Sequence, residues 1–170
     1  MTIASTLLPE FDQEMATTRR LLERVPDEHK DWKPHEKSWP LGGLAIHVAS
    51  LVMWQKMTLE ASELDLEPPG GPAFEPPVFT SIADTLAMFD ENVAGARAAL
   101  EAASDADLMS PWTLAKGGQA LFTMPRIDCI RTFVLNHLIH HRGQLTVYLR
   151  LKDVPLPAIY GPSADDPGGM

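Results

Sequence analysis

The chain has 170 residues, 45% of them hydrophobic and 22% charged, with 14 Lys and Arg against 23 Asp and Glu and a formal net charge of −9. Such a length and balance describe a single soluble domain with a hydrophobic core. So acidic a surface repels phosphate backbones and anionic membranes, which excludes nucleic acid as an expected partner.

The first amino acids, MTIASTLLPEFDQEM, lack a basic stretch ahead of an apolar run, so no signal peptide is expected. A helix is predicted from about Thr6 to Val25, because Leu8, Phe11, Met15, Leu22 and Val25 recur at helical steps. Pro26 and the charged run DEHKDWKPHEK end it. A second helix opens at Ser38, with Pro40 in the first turn, where a missing N–H costs little, and continues to about Ser62. Leu44, His47, Leu51 and Trp54 lie on its apolar side. The uncharged run Trp39–Gln55 within it is broken by Gly42, Gly43, His47 and Ser50, too polar for a membrane span.

The linker LDLEPPGGPAFEPPVF holds five prolines and two glycines and is expected to be neither helix nor central strand. Ser81 with Asp84 three residues on has the pattern of a capping box, and Ile82, Leu86, Phe89, Val93, Ala96 and Leu100 form the stripe of a third helix. After Ser104, two short apolar pieces flank KGGQ (Lys116 to Gln119) and predict a small hairpin. A fourth helix is predicted from Pro125 to about Lys152, with Ile130, Val134, His137, His141 and Leu145 on one face. The expected fold is all-α, a four-helix bundle over residues 1–155 with a hairpin before the last helix, followed by an extended Pro- and Gly-rich tail over 156–170. The lone Cys129 permits no intramolecular disulfide and fits a reducing, cytoplasmic setting.

The stretch NHLIHHRGQL carries three histidines. His137 and His141, four residues apart, share the apolar stripe and should point into the bundle, while His140 falls to one side with Phe133, Asn136 and Gln144. His47 also lies on an apolar face. A buried imidazole needs a partner for each ring nitrogen, and a divalent ion would satisfy several at once. The competing account is core histidines hydrogen-bonded to side chains or water, and periodicity does not say whether His47 faces His137.

The pairing of LGGLAIHVASLVMW with NHLIHHRGQLTVYLR, the segment DWKPHEKSWPLGGLAIHVA and the ending LKDVPLPAIYGPSADD together resemble the DinB-like (DinB/YfiT) metalloprotein superfamily. The resemblance covers nearly the whole chain. It implies a four-helix bundle, often a homodimer, with an open metal site whose ligands would be His47, His137 and His141. The ion would be zinc, nickel or another divalent transition metal. Three neutral imidazoles leave its charge in place and at least one coordination position open, at which a water or a thiol is acidified. The superfamily includes thiol-dependent isomerases and thiol S-transferases that use low-molecular-weight thiols. The function expected from the resemblance is therefore a metal-dependent enzyme acting on a small molecule by thiol transfer or hydrolysis. The alternative is a non-catalytic metal-binding or stress-associated protein.

Other residues read two ways. Arg142, Gln144, Asp128 and Asn136 are either supports for the ligands or surface and packing residues, the second being expected. Trp54 lines a pocket or fills the core. Trp32, Trp39 and Trp112 are expected to cover the ends of the bundle. Cys129 reads as inert packing, and Tyr160 as part of a mobile tail rather than a cover over the site.

Overall fold

Thr2 starts the first helix: its hydroxyl accepts from the Ser5 N–H (3.1 Å), and its own N–H donates to the Ser5 hydroxyl (3.0 Å). The helix that follows, α1 (Ile3–Leu22), begins three residues earlier than its apolar stripe suggests. The computed structural model describes residues 1–168 of the chain. Beyond α1, a short 3₁₀ turn (Asp27–His29) ties the charged loop to the helix ahead of it in space, Asp27 accepting the N–H of Ile82 at 2.7 Å.

The expected second helix is two helices, α2 (Leu41–Ser50) and α3 (Met53–Glu60). Between them the backbone tightens into bonds three residues long, Trp54 N–H to Leu51 and Gln55 N–H to Val52. Gly42 at its start lies so close to another segment that a Cβ there would come within 2.9 Å of the Phe79 ring. A three-residue strand, β1 (Glu63–Asp65), opens the linker, and α4 (Ile82–Ala102) is capped by Ser81, whose hydroxyl accepts from the Asp84 N–H. The short α5 (Asp105–Met109) leads into β2 (Pro111–Lys116) and β3 (Gln119–Pro125).

The hairpin predicted around KGGQ is thus present. Its turn is Gly117–Gly118, both with positive φ (+63° and +77°), the combination that matches the twist of a two-residue hairpin. Asp65 clamps the turn by accepting both glycine N–H groups, at 2.9 and 2.7 Å. This brings β1 alongside β2 in parallel register, while β2 and β3 run antiparallel, giving a three-stranded sheet in the order β1–β2–β3. The last helical stretch is a single turn α6 (Arg126–Cys129), a π-helical segment (Ile130–Asn136) and α7 (His137–Arg150).

The expectation of an all-α four-helix bundle therefore holds only in part: the chain is mostly helical, but a small sheet is built onto it and two of the expected helices are interrupted. One core joins the helices: α4 packs on α1, α2 and α3, and α7 packs on α1 and α2. Phe11, Leu22, Leu44, Phe89, Leu100 and Leu145 are fully or almost fully buried in it. Each such side chain contributes about 1.5–3 kcal/mol relative to exposure.

The tail carries no helix or strand over its described residues, 156–168, and is pinned to the bundle; the last two residues of the expected extended tail lie outside the described residues. Asp165 accepts from Arg150 and from the Leu156 N–H, and Asp166 accepts from the Ala158 N–H at 2.9 Å. The Tyr160 hydroxyl donates to Glu14 (2.9 Å) and accepts from Arg142 (2.7 Å). Arg142 and Glu14 themselves form an ion pair at 2.6 Å with side chains 2% and 8% exposed. Arg142, expected at the surface or in helix packing, is thus buried and ties α7, α1 and the tail together.

Candidate metal centre

The face of the last helix that enters the core is made of Ile130, Val134, Leu138, Arg142, Leu145 and Leu149. His137 and His141 sit beside that face, half-buried, and not within it as the apolar stripe suggests. The cause lies one turn upstream: seven residues wound as a π-helix advance by a wider repeat than 3.6, so the phase set at Ile130 is not carried unchanged to His137. His47 is likewise half-buried on α2 between the buried Ile46 and Val48. All three imidazoles line the rim of the core.

The fold brings these three together. The Nε2 atoms of His47 and His137 lie 3.4 Å apart, and those of His137 and His141 lie 2.8 Å apart. One ring nitrogen from each of the three falls within 4.8 Å of the others. Among the described residues no fourth His, Cys, Asp or Glu joins the group. His140 is exposed and only packs edge-on against the His141 ring, at 4.8 Å between centroids.

The other ring nitrogen of His141 is held by the protein. His141 Nδ1 lies 2.7 Å from Gln144 Oε1, and an amide oxygen only accepts, so Nδ1 carries the hydrogen and Nε2 presents a lone pair. The Phe133 backbone, one turn back, favours the protonated form of His137 while burial opposes it more strongly. His141 thus turns an Nε2 lone pair towards His137 Nε2 at 2.8 Å. A shared proton or a cation relieves that arrangement, and the second is what helical histidine pairs commonly hold.

A tetrahedral ion with nitrogen bonds of about 2.0–2.1 Å has ligand atoms roughly 3.3 Å apart, a spacing that the separations of 3.4 Å and 2.8 Å on either side of His137 bracket. Protons compete poorly: His47 is pushed down to about 4, first by burial and then by His141 and His137. Burial is also the main cause of the lowered values of His137 and His141, with the Phe133 carbonyl and Gln144 acting against it. Neutral imidazole is the form that binds metals.

Trp39 covers the cluster. Its ring stacks on His141 (5.7 Å, 15° between planes) and meets His47 edge-on at 4.8 Å. It is half exposed, and its place near a helix start, where an aromatic is expected to cover the bundle's end, is its one signal in the sequence. Two hollows adjoin the histidines. An open one of about 430 Å³ reaches His141 past Ser38, Trp39, Gln144 and Tyr148. A more enclosed, apolar one of about 220 Å³ is bounded by His47 and His137 on one side and by Trp54, Trp112, Phe122 and Phe133 on others.

Gln144 was the weaker reading of a residue that turns out to touch His141, not His140; its position three residues after His141, on the same face, was the available signal. Asp128 and Asn136 are exposed and make no hydrogen bond to a histidine among the described residues. Trp54 does line a hollow. Cys129 is buried, with Sγ 3.6 Å from the Thr58 hydroxyl, and burial pushes its thiol up, so it stays protonated.

The comparisons with known proteins bear on this geometry. The family model describing the DinB superfamily matches residues 10–145, which include all three histidines. The chain belongs to the DinB superfamily. It is similar to the uncharacterized protein YrdA of Bacillus subtilis (strain 168), with 28% identity over 164 residues, 94% of this chain and 89% of YrdA. A crystal structure of a DinB-like protein from Bacillus cereus ATCC 10987 superposes with a TM-score of 0.70 at 25% identity, covering 94% of this chain and 98% of that one. A second DinB-like protein, YjoA of Bacillus subtilis, superposes with a TM-score of 0.65 over 89% of this chain and 96% of the other; at 18% identity it speaks to the fold alone. In this DinB-superfamily chain, then, the three histidines form a cluster compatible with metal binding. No helix among the described residues is long and apolar enough to cross a membrane.

Proposed function

We propose that this DinB-superfamily protein holds one divalent transition metal ion, zinc or nickel, through the Nε2 atoms of His47, His137 and His141, and uses it as a metal-dependent enzyme on a small molecule. The observation that carries this reading is the set of converging nitrogens, two of them 2.8 Å apart, with no fourth protein ligand among the described residues. Three-ligand sites that leave a position open are the catalytic kind, whereas structural sites close with four. A bound ion supplies Lewis acidity and a position at which a thiol or water loses its proton more readily.

The residues around it have defined tasks. Gln144 orients His141. Trp39 shields one side from water, and the apolar hollow beside His47 receives the part of the substrate that does not react. The reaction class proposed is thiol S-transfer, with a low-molecular-weight thiol as co-substrate, or hydrolysis; the open hollow at His141 is large enough for the second reactant. A cytoplasmic setting is consistent with the free Cys129. A homodimer is part of the proposal, supported by Val147 and Leu151, apolar, more than half exposed and one turn apart at the end of α7.

The test is elemental analysis of protein purified without a histidine tag. One equivalent of ion per chain is expected, with loss in His137→Ala and His141→Ala. Cobalt substitution then separates a catalytic from a structural ion. A visible spectrum that changes on adding a simple thiol is expected; a spectrum indifferent to thiols, with unfolding on metal removal, assigns the ion a purely structural role.

A further inference from the structure

Three hollows adjoin the histidine cluster. Besides the open one at His141 and the enclosed one beside His47 and His137, a third of about 270 Å³ lies between His47, Trp39 and the linker residues Pro76 to Phe79. None of the residues bounding the three is Lys, Arg, Asp or Glu, in a chain where 22% of all residues are. A charge taken into such a place leaves its water and meets no counter-charge, so it is disfavoured whatever its sign.

The enclosed hollow is bounded mainly by rings and aliphatic groups. Trp54, Leu114, Phe122 and Phe133 lie on its boundary, and each is only half-buried, which leaves apolar surface accessible beside the cluster. The rings are held in place: Phe122 stacks on Phe133 at 4.9 Å with 9° between planes, and Trp54 packs on Phe74 at 5.7 Å. The small sheet thereby acquires a purpose, since β2 supplies Leu114 and β3 supplies Phe122. An apolar cavity of about 150 Å³ accepts benzene, and this one is about 220 Å³, room for a six-membered ring with a small substituent.

We infer that the site takes an uncharged substrate whose ring-sized apolar group occupies the enclosed hollow, with its reacting atom at the histidines. His47 and His137 bound the same hollow, so a ring there lies next to the nitrogens of the cluster. Aromatic walls favour a ring through offset and edge contacts. Phosphorylated compounds, and substrates with an ammonium or carboxylate remote from the reacting atom, are excluded for want of a partner for the charge. The inference rests on the metal-enzyme reading for the reacting atom, whereas occupancy of the hollow does not.

Ethylbenzene, its cationic isostere benzylammonium and the weakly coordinating anion benzenesulfonate are titrated into the full-length protein and followed by NMR. Ethylbenzene is expected to give nuclear Overhauser contacts to the Leu114 methyls and the Phe133 ring, and to bind about tenfold or more tightly than either charged analogue. Rejection of both signs separates an uncharged hollow from the field of an ion, which would attract the anion. Absent contacts, or a charged analogue that binds as tightly, overturn the proposal. In protein shown to carry one cobalt per chain, the bound ring's protons should relax faster; a ring bound without that effect overturns its place beside the reacting atom. Protein that binds ethylbenzene as expected but takes up no cobalt refutes the metal reading and supports the assignment of the hollow.

Discussion

His137 and His141 point their Nε2 atoms at each other across 2.8 Å while the opposite nitrogen of His141 is already engaged by Gln144. The His141 ring cannot turn to donate to His137 without breaking its bond to Gln144. The pair is preorganised for a positive charge between them, and His47, 3.4 Å from His137, completes a three-nitrogen face.

The support from Gln144 gives the first expectation. Gln144→Ala removes the acceptor from His141 but no ligand atom, and metal affinity should fall about 10–100-fold, the usual loss for a group holding a ligating histidine. Competition with a chromophoric chelator measures it. Unchanged affinity would mean that Gln144 does not orient the ring.

Acid should destabilise the metal-free protein through the cluster. An unfolded imidazole takes its proton at about pH 6.5, whereas folded His47 takes it at about 4. Between those values the unfolded chain binds more protons, so the stability is fully present above about pH 6.5 and is lost as pH falls towards 4. Urea midpoints across that window should fall in chelator-treated protein, and less steeply in His47→Phe. An equal slope in both would remove the cluster as the cause.

The buried pair of Arg142 and Glu14 should be costly to break from one side. Glu14→Ala strands a guanidinium whose side chain is 2% exposed, and a loss of about 3–5 kcal/mol is expected from urea unfolding. Replacing both, with Glu14→Leu and Arg142→Met, should recover much of it, since the two charges then leave together. Tyr160→Phe should cost only about 1 kcal/mol and raise proteolysis of the tail.

The hairpin turn offers a local test. Gly118→Ala meets only the edge of Pro69, at 3.5 Å, so its cost is conformational, from the φ of +77°. About 1–2 kcal/mol is expected. Near-ultraviolet circular dichroism should report the change at Trp112, because the turn sets where β2 holds it.

Much of the candidate site was legible. Spacing alone put His137 and His141 on one side of a helix and marked His140 as the odd one out, because a 3.6-residue repeat separates adjacent positions by about 100°. KGGQ announced a hairpin because only glycine takes positive φ twice without penalty. Gln144 was ambiguous, since an exposed amide at helical spacing serves solvent as readily as a ring nitrogen. Arg142 was misleading: nothing local to it signals that a carboxylate from α1, 128 residues away in sequence, will meet it.

By itself, then, the sequence determined the helical stretches, the turn and the residue types able to hold an ion, all matters of local backbone preference and periodicity. Only the tertiary structure decided that His47 meets His137, because their contact spans 90 residues and depends on how α2 packs against α7. It also moved the histidines from the core to its rim through the π-helical segment. And it turned the hairpin, a local feature in sequence, into an element that buries Trp112 completely, since burial is a property of what packs around a residue and not of the residue itself.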